Sequence, residues 1–205
     1  MESSADAART CLVVDDDRTL LTLLGRLRPL AALAAVCGAA LIWAPPASAV
    51  RACPSASAVP AKVAKRVAVH ATLCVLNATR ERHGIRPLRM NSRLSRAARR
   101  HARDMVRRNY FSHDSMGGAS FVDRIRHAGY LDGAGAWAVA ENIAWGSHHY
   151  SAPRRILHIW MNSPGHRANI LNPRYRDIGI GLALGAPVAG SGGPATTYAT
   201  DFGAR

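Results

Sequence analysis

Ile178-Gly179-Ile180-Gly181-Leu182-Ala183-Leu184 alternates large apolar side chains with glycine and alanine. That is the two-residue period of a strand with one face on a core. A Gly- and Pro-bearing stretch from Gly185 to Pro194 follows, and Thr196 to Phe202 reads as the antiparallel partner strand. Upstream the periodicity is helical. Helices first and a hairpin last, with no βαβ unit and no internal repeat, predict an α+β fold built on an antiparallel sheet.

The helical patterns run back from that hairpin. Ser151 and Pro153 start one helix, carrying Ile156, Leu157, Ile159 and Trp160, and Pro164-Gly165 ends it. Ser120 to His127 makes a short helix with Phe121 and Ile125 inward, stopped by Gly129. Ser92 N-caps a longer one, in which Leu94, Ala98, His101 and Met105 share a face at i, i+4, i+7 and i+11. His101 belongs to that apolar stripe, so a hydrogen-bonded core histidine is the preferred reading over a ligand. Arg93, Arg96, Arg100, Arg103 and Arg107 form a separate stripe with no aromatic interleaving. A solvated face is preferred there over a nucleic-acid groove. The first helix runs from about Lys62 to Arg82, with Val69, Leu73, Leu76 and Ala78 inward.

The N-terminal quarter reads differently. Arg26 and Arg28 precede an apolar run from Leu30 to Ala44, closed by Pro45-Pro46-Ala47-Ser48-Ala49. These are the n-region, h-region and cleavage site of a secretory signal peptide spanning residues 1–49, with cleavage after Ala49. The run is about 15 residues against the roughly 20 of a membrane span, so a retained anchor is the lesser reading. Asp15-Asp16-Asp17 sits badly in an n-region, which places the true translation start downstream of Met1. Residues 50–68 read as a linker and 69–205 as one domain. Cys53 and Cys74 are the two cysteines left after cleavage, and in an exported chain they most simply pair. Two unrelated thiols are the alternative. The mature part has 23 Lys and Arg against eight acids, a net +15 carried almost wholly by arginine. That excess favours anionic surfaces, although arginine with alanine enrichment also accompanies a GC-rich genome.

Three polar segments stand out. His113 follows Tyr110-Phe111-Ser112, Glu141 opens Glu141-Asn142-Ile143-Ala144-Trp145-Gly146, and His166 lies in Ser163-Pro164-Gly165-His166-Arg167. A lone acid among apolar neighbours calls for a charged or histidine partner. An imidazole at a loop mouth can bind a metal, take a proton or hydrogen-bond a ligand. Taken singly, each has a plainer reading: surface His, capping Glu, turn His.

The ordered set of motifs resembles the CAP superfamily, also called SCP, of cysteine-rich secretory, antigen 5 and plant pathogenesis-related proteins. Within it the chain is similar to the bacterial SCP-like extracellular branch. The resemblance runs from about Val69 to Phe202. It is carried by Leu76-Asn77 with Arg80 and Gly84, Leu88, Ala97-Ala98 with His101 and Met105, and Tyr110-Phe111-Ser112-His113. Arg124 with Gly129-Tyr130, Glu141 to Ala144, Trp160 leading into Ser163 to Arg167, Ile178 to Gly181 and Asp201-Phe202-Gly203 complete it. The resemblance implies an α-β-α sandwich with a central antiparallel sheet flanked by helices. It also implies a cavity in which His113 and His166 bind a divalent metal such as zinc, with Glu141 direct or through water. A second glutamate shortly before the last histidine, usual in many eukaryotic members, has no counterpart here: no acid lies between Glu141 and Asp177.

The expected function is a secreted, extracellular, non-catalytic module binding an anionic envelope polymer, a lipid or a small apolar ligand. The alternative is a metal-assisted hydrolase, a peptidase or cell-wall hydrolase, using His113, Glu141 and His166. Nucleic acid is not an expected partner, since the chain reads as exported and has no recognition motif.

Overall fold

The computed structural model describes residues 52–190 and 193–205; the expected signal peptide, its cleavage site and the expected start downstream of Met1 lie outside them. Four strands form one sheet: β1 (Arg89–Met90), β2 (Ala138–Ser147), β3 (Asp177–Leu184) and β4 (Ala195–Ala204), in the order β1-β3-β4-β2. β4 is central and pairs antiparallel with β3, from Asp177↔Gly203 to Leu184↔Thr196, and with β2, from Ala138↔Ala204 to Ser147↔Ala195. The α+β fold and its antiparallel hairpin stand, with one addition. β1 joins β3 in parallel over two residues, which makes the sheet mixed.

Helices cover both faces. On one, Ile178, Ile180 and Leu182 of β3 join Tyr198 and Phe202 of β4. They pack with α1 (Lys65–Arg82), α4 (Pro153–Asn162) and α5 (Pro164–Leu171) through Val75, Leu76, Ile156, Trp160 and Ile170. On the other, Ile143, Ala183 and Ala199 meet Ala98, Ala102 and Met105 of α2 (Ser92–Arg108). The small residues of β3 belong to this second face, for a steric reason. A Cβ on Gly179 would lie 2.1 Å from the carbonyl carbon of Leu94, and one on Gly181 would lie 2.2 Å from that of Ala98. The α2 backbone occupies that space, so the Ile-Gly-Ile-Gly alternation records a helix resting directly on a strand. α3 (Phe121–His127) closes the end of this layer, its Ile125 packed with Leu94, Ala97 and Tyr130.

Local signals place most of these helices. Ser120 caps α3 in a capping box with Asp123. Leu94, Ala98, His101 and Met105 are all buried on α2, as their spacing requires. Its N-cap, however, is Asn91, whose side chain accepts from the amides of Arg93 and Leu94; Ser92 is the first helical residue. On α1 Leu76 is buried as expected, but the rest of the buried face centres on Ala68, Thr72, Val75 and Thr79, one position off Val69, Leu73 and Ala78. Val69 and Leu73 only flank the core. Within the segment read as linker, Ala56 and Ala68 are buried in the main core. The Cys53–Cys74 disulfide ties that segment to α1.

Arg80 is fully buried and holds three segments at once. Its guanidinium donates to the carbonyls of Arg86 (2.9 Å), Ile170 (2.6 Å), Asn172 (3.0 Å) and Tyr175 (3.2 Å). It thereby satisfies carbonyls at the end of α5 that helix geometry leaves open, and ties the loop after α1 to them.

Candidate functional site

Two of the expected site residues do not lie in loops. Glu141 is the fourth residue of β2, and His166 is in the first turn of α5. Pro164 does end α4, but it also starts α5 as a first-turn proline, with Ser163 as the hinge residue between the two helices. His166 is therefore almost fully buried rather than exposed on a turn. The loop after α2 brings His113.

β2 is an edge strand, and the cluster forms around it. By the alternation of side chains, Glu141 points to the α2 face while Asn142 points to the α5 face. Asn142 donates to the carbonyl of His166 (3.1 Å) and accepts from Asn169 (2.9 Å), which anchors α5 against the strand. On the α2 side, His113 Nδ1 donates to Glu141 Oε1 at 2.9 Å, and Arg124 donates to Oε2 at 2.8 Å. The His113 and His166 rings stack at 6.4 Å between centroids. The structure thus brings His113, Glu141 and His166 together. Ser163 Oγ lies 2.6 Å from His166 Nδ1 and fixes that ring. The acid that would complete a Ser-His-acid arrangement is bonded to the other imidazole, on His113.

Three further groups complete the cluster. His101, expected in the core, is there, with Nε2–H donating to the carbonyl of Ser112 at 2.9 Å. The same nitrogen lies 3.8 Å from Glu141 Oε1, so His101 also floors the site. Burial lowers its pKa, although the Glu141 charge pulls the other way. Arg124 is clamped by Ser115 Oγ and the carbonyl of Ala119 while it reaches Glu141. Asp201 of β4 stands opposite Glu141 in the β2–β4 register, on the same face and equally buried. The cluster has its second carboxyl after all, supplied from across the sheet rather than from the segment before His166.

The two acids titrate apart. Burial would raise the Glu141 carboxyl, but His101, the His113 hydrogen bond and the Arg124 guanidinium outweigh it and hold it at about 2. Burial, then the Glu141 charge and its hydrogen bond, push Asp201 well above the carboxylate range. At neutral pH Glu141 is ionised, while Asp201 holds its proton to higher pH than an ordinary aspartate. Sequence reading noted Arg124 and Asp201 only within the resemblance. The register of β2 on β4 is the signal that places Asp201 beside Glu141.

A metal fits this donor set poorly. Both Glu141 oxygens are taken, one by an imidazole N–H and one by a guanidinium. Among the described residues, no group of three His, Cys, Asp or Glu side chains is arranged to hold a metal ion. Direct ligation by Glu141 would require breaking its pair with Arg124.

Comparison with known proteins agrees with this architecture. The model of the cysteine-rich secretory protein family, CAP, matches residues 73–190, and the chain belongs to that family. It is 39% identical over 105 residues to the uncharacterised protein YkwD of Bacillus subtilis, a match covering 51% of this chain and 38% of that protein. It is 34% identical over 110 residues to the uncharacterised membrane protein YlbC of the same organism, covering 54% of this chain and 30% of that one. The match thus spans well under half the length of either relative. Among solved structures, an extracellular SCP-domain protein of Bacillus anthracis superimposes with a TM-score of 0.51 at 26% identity, covering 68% of this chain and 43% of that one. An outer surface protein of Borrelia burgdorferi shares the fold, with a TM-score of 0.57 at 17% identity, covering 70% of this chain and 96% of that one.

Proposed function

We propose that this chain is an exported CAP domain that binds without catalysing, and that it acts at an anionic polymer of the cell envelope. The observation that carries the non-catalytic part is the commitment of Glu141. A general base must be able to take a proton near neutral pH. Glu141 is held at about 2 by its partners and has both oxygens engaged. Hydrolysis through His113, Glu141 and His166, with or without zinc, would have to dismantle the Arg124 pair first.

Export is supported by the leader-like N-terminus and by the extracellular Bacillus anthracis relative. Among the described residues no helix is long and apolar enough to cross a membrane. The net charge of +15 after the leader favours a polyanion. The hollow lined by Pro60, Val63, Lys65, Ala68, Leu182 and Leu184 holds about 50 Å³, small against the roughly 300–1,000 Å³ of ligand pockets.

Retention of the 50–205 chain on purified wall polymers and on lipid, across a salt series, tests the reading. Salt-sensitive retention on wall polymer is expected. Absence of retention at low salt would overturn it, as would turnover of wall polymer or peptide that the Glu141→Ala/His166→Ala variant loses while still folded.

A further inference from the structure

The arginines of α2 form a rigid, one-sided cationic rail. All seven (Arg93, Arg96, Arg99, Arg100, Arg103, Arg107 and Arg108) are exposed. The helix has a single acid, Asp104, and it is already engaged: it accepts the hydroxyl of Tyr110 at 2.6 Å and pairs with Arg108. Arg93 donates to the carbonyl of Gly129. Arg96, Arg99, Arg100, Arg103 and Arg107 have no carboxylate partner among the described residues. The positions 93, 96, 100, 103 and 107 follow a 3-4-3-4 spacing, which keeps them on one stripe. At 1.5 Å per residue that stripe is about 21 Å long, with a charge every ~5 Å.

Two features make this more than a solvated face. The helix cannot shift, because its backbone rests on Gly179 and Gly181; the charges are therefore presented in a fixed line. The stripe also has no exposed aromatic or large aliphatic side chain. It offers nothing to insert among lipid tails and nothing on which a base would stack. What remains is an unbranched chain of anions laid along the helix. Arginine's forked donors match phosphate oxygens well.

We propose that the outer face of α2 is a docking rail for a linear, phosphate-bearing polymer without bases. This rests on the envelope-binding reading and names the face and the partner chemistry. Long-chain inorganic polyphosphate is the probe, with the wild-type 50–205 chain, the variant Arg96→Gln/Arg100→Gln/Arg103→Gln/Arg107→Gln, and a charge-matched control. The control, Arg86→Gln/Arg154→Gln/Arg155→Gln/Arg167→Gln, removes four exposed arginines from other elements. The rail variant should lose at least about tenfold in affinity near 0.1 M salt, and its log–log salt slope should flatten by about 3, at ~0.7 per phosphate contact. The pair Arg100→Gln/Arg103→Gln should flatten the slope by about half as much.

An equal loss in the control would overturn the rail, leaving only net charge. Tighter wild-type binding to phosphatidylglycerol vesicles, to a single-stranded oligonucleotide or to polyglutamate than to polyphosphate would overturn the partner. If wall polymer retains wild type and rail variant alike, the rail fails while envelope binding stands. If polyphosphate binds through the rail but no wall fraction does, envelope binding fails and the rail stands.

Discussion

Glu141 and Asp201 sit opposite each other on adjacent strands, yet their titrations are shifted in opposite directions, and stability should report this. Glu141 is depressed from 4.5 to about 2, so its contribution is present above the unfolded value and is lost as pH falls from about 4.5 toward 2. Asp201 works the other way. Folded, it keeps a proton that the unfolded chain releases above about 3.8, so stability declines as pH rises past that value. Asp201→Asn keeps a neutral donor toward Glu141 and removes the decline. In urea unfolding followed across pH, that variant should gain on wild type between about pH 4 and 7; a loss over the same range would contradict the assignment. Glu141→Gln should cost about 3 kcal/mol near neutral pH, because it leaves the Arg124 cation with no counter-charge in a buried cluster.

At the scale of elements, β3 was legible because its two faces differ in size: isoleucine and leucine toward one core, glycine toward α2. Gly181→Ala tests that cause. Its Cβ would lie 2.2 Å from the α2 backbone, so a loss of about 3 kcal/mol is expected from strain and undocking. Gly135→Ala, with open space around it, should change stability by less than about 0.5 kcal/mol. β2 was not legible for the opposite reason. Ala138 to Ser147 is buried on both faces along most of its length, so polar and apolar residues do not alternate, and Glu141 and Asn142 stand mid-strand. Asp201 was hidden with it, since only the β2–β4 register sets the two acids side by side. α5 escaped because one proline serves as both the stop for α4 and the start of an eight-residue helix. β1, at two residues, is too short for any period to show.

For the molecule as a whole, the disulfide joins the segment before α1 to the body of the domain across 21 residues. Cys53→Ser/Cys74→Ser should lower unfolding free energy by about 3 kcal/mol, from the freedom restored to the unfolded chain. A change under about 0.5 kcal/mol would show that buried Ala56 and its neighbours dock without the link. The larger claim is that, in a site of three histidines, two acids and one arginine, Glu141 is too firmly committed to its partners to serve as a base, so that the domain binds rather than cuts. Carboxyl carbon NMR titration of the folded 50–205 chain, with Glu141 and Asp201 assigned through Glu141→Gln and Asp201→Asn, addresses that most directly. The account predicts that Glu141 stays ionised down to about pH 3 and that Asp201 titrates well above an ordinary aspartate. A Glu141 midpoint between about 6 and 7, the range of a working general base, would contradict it.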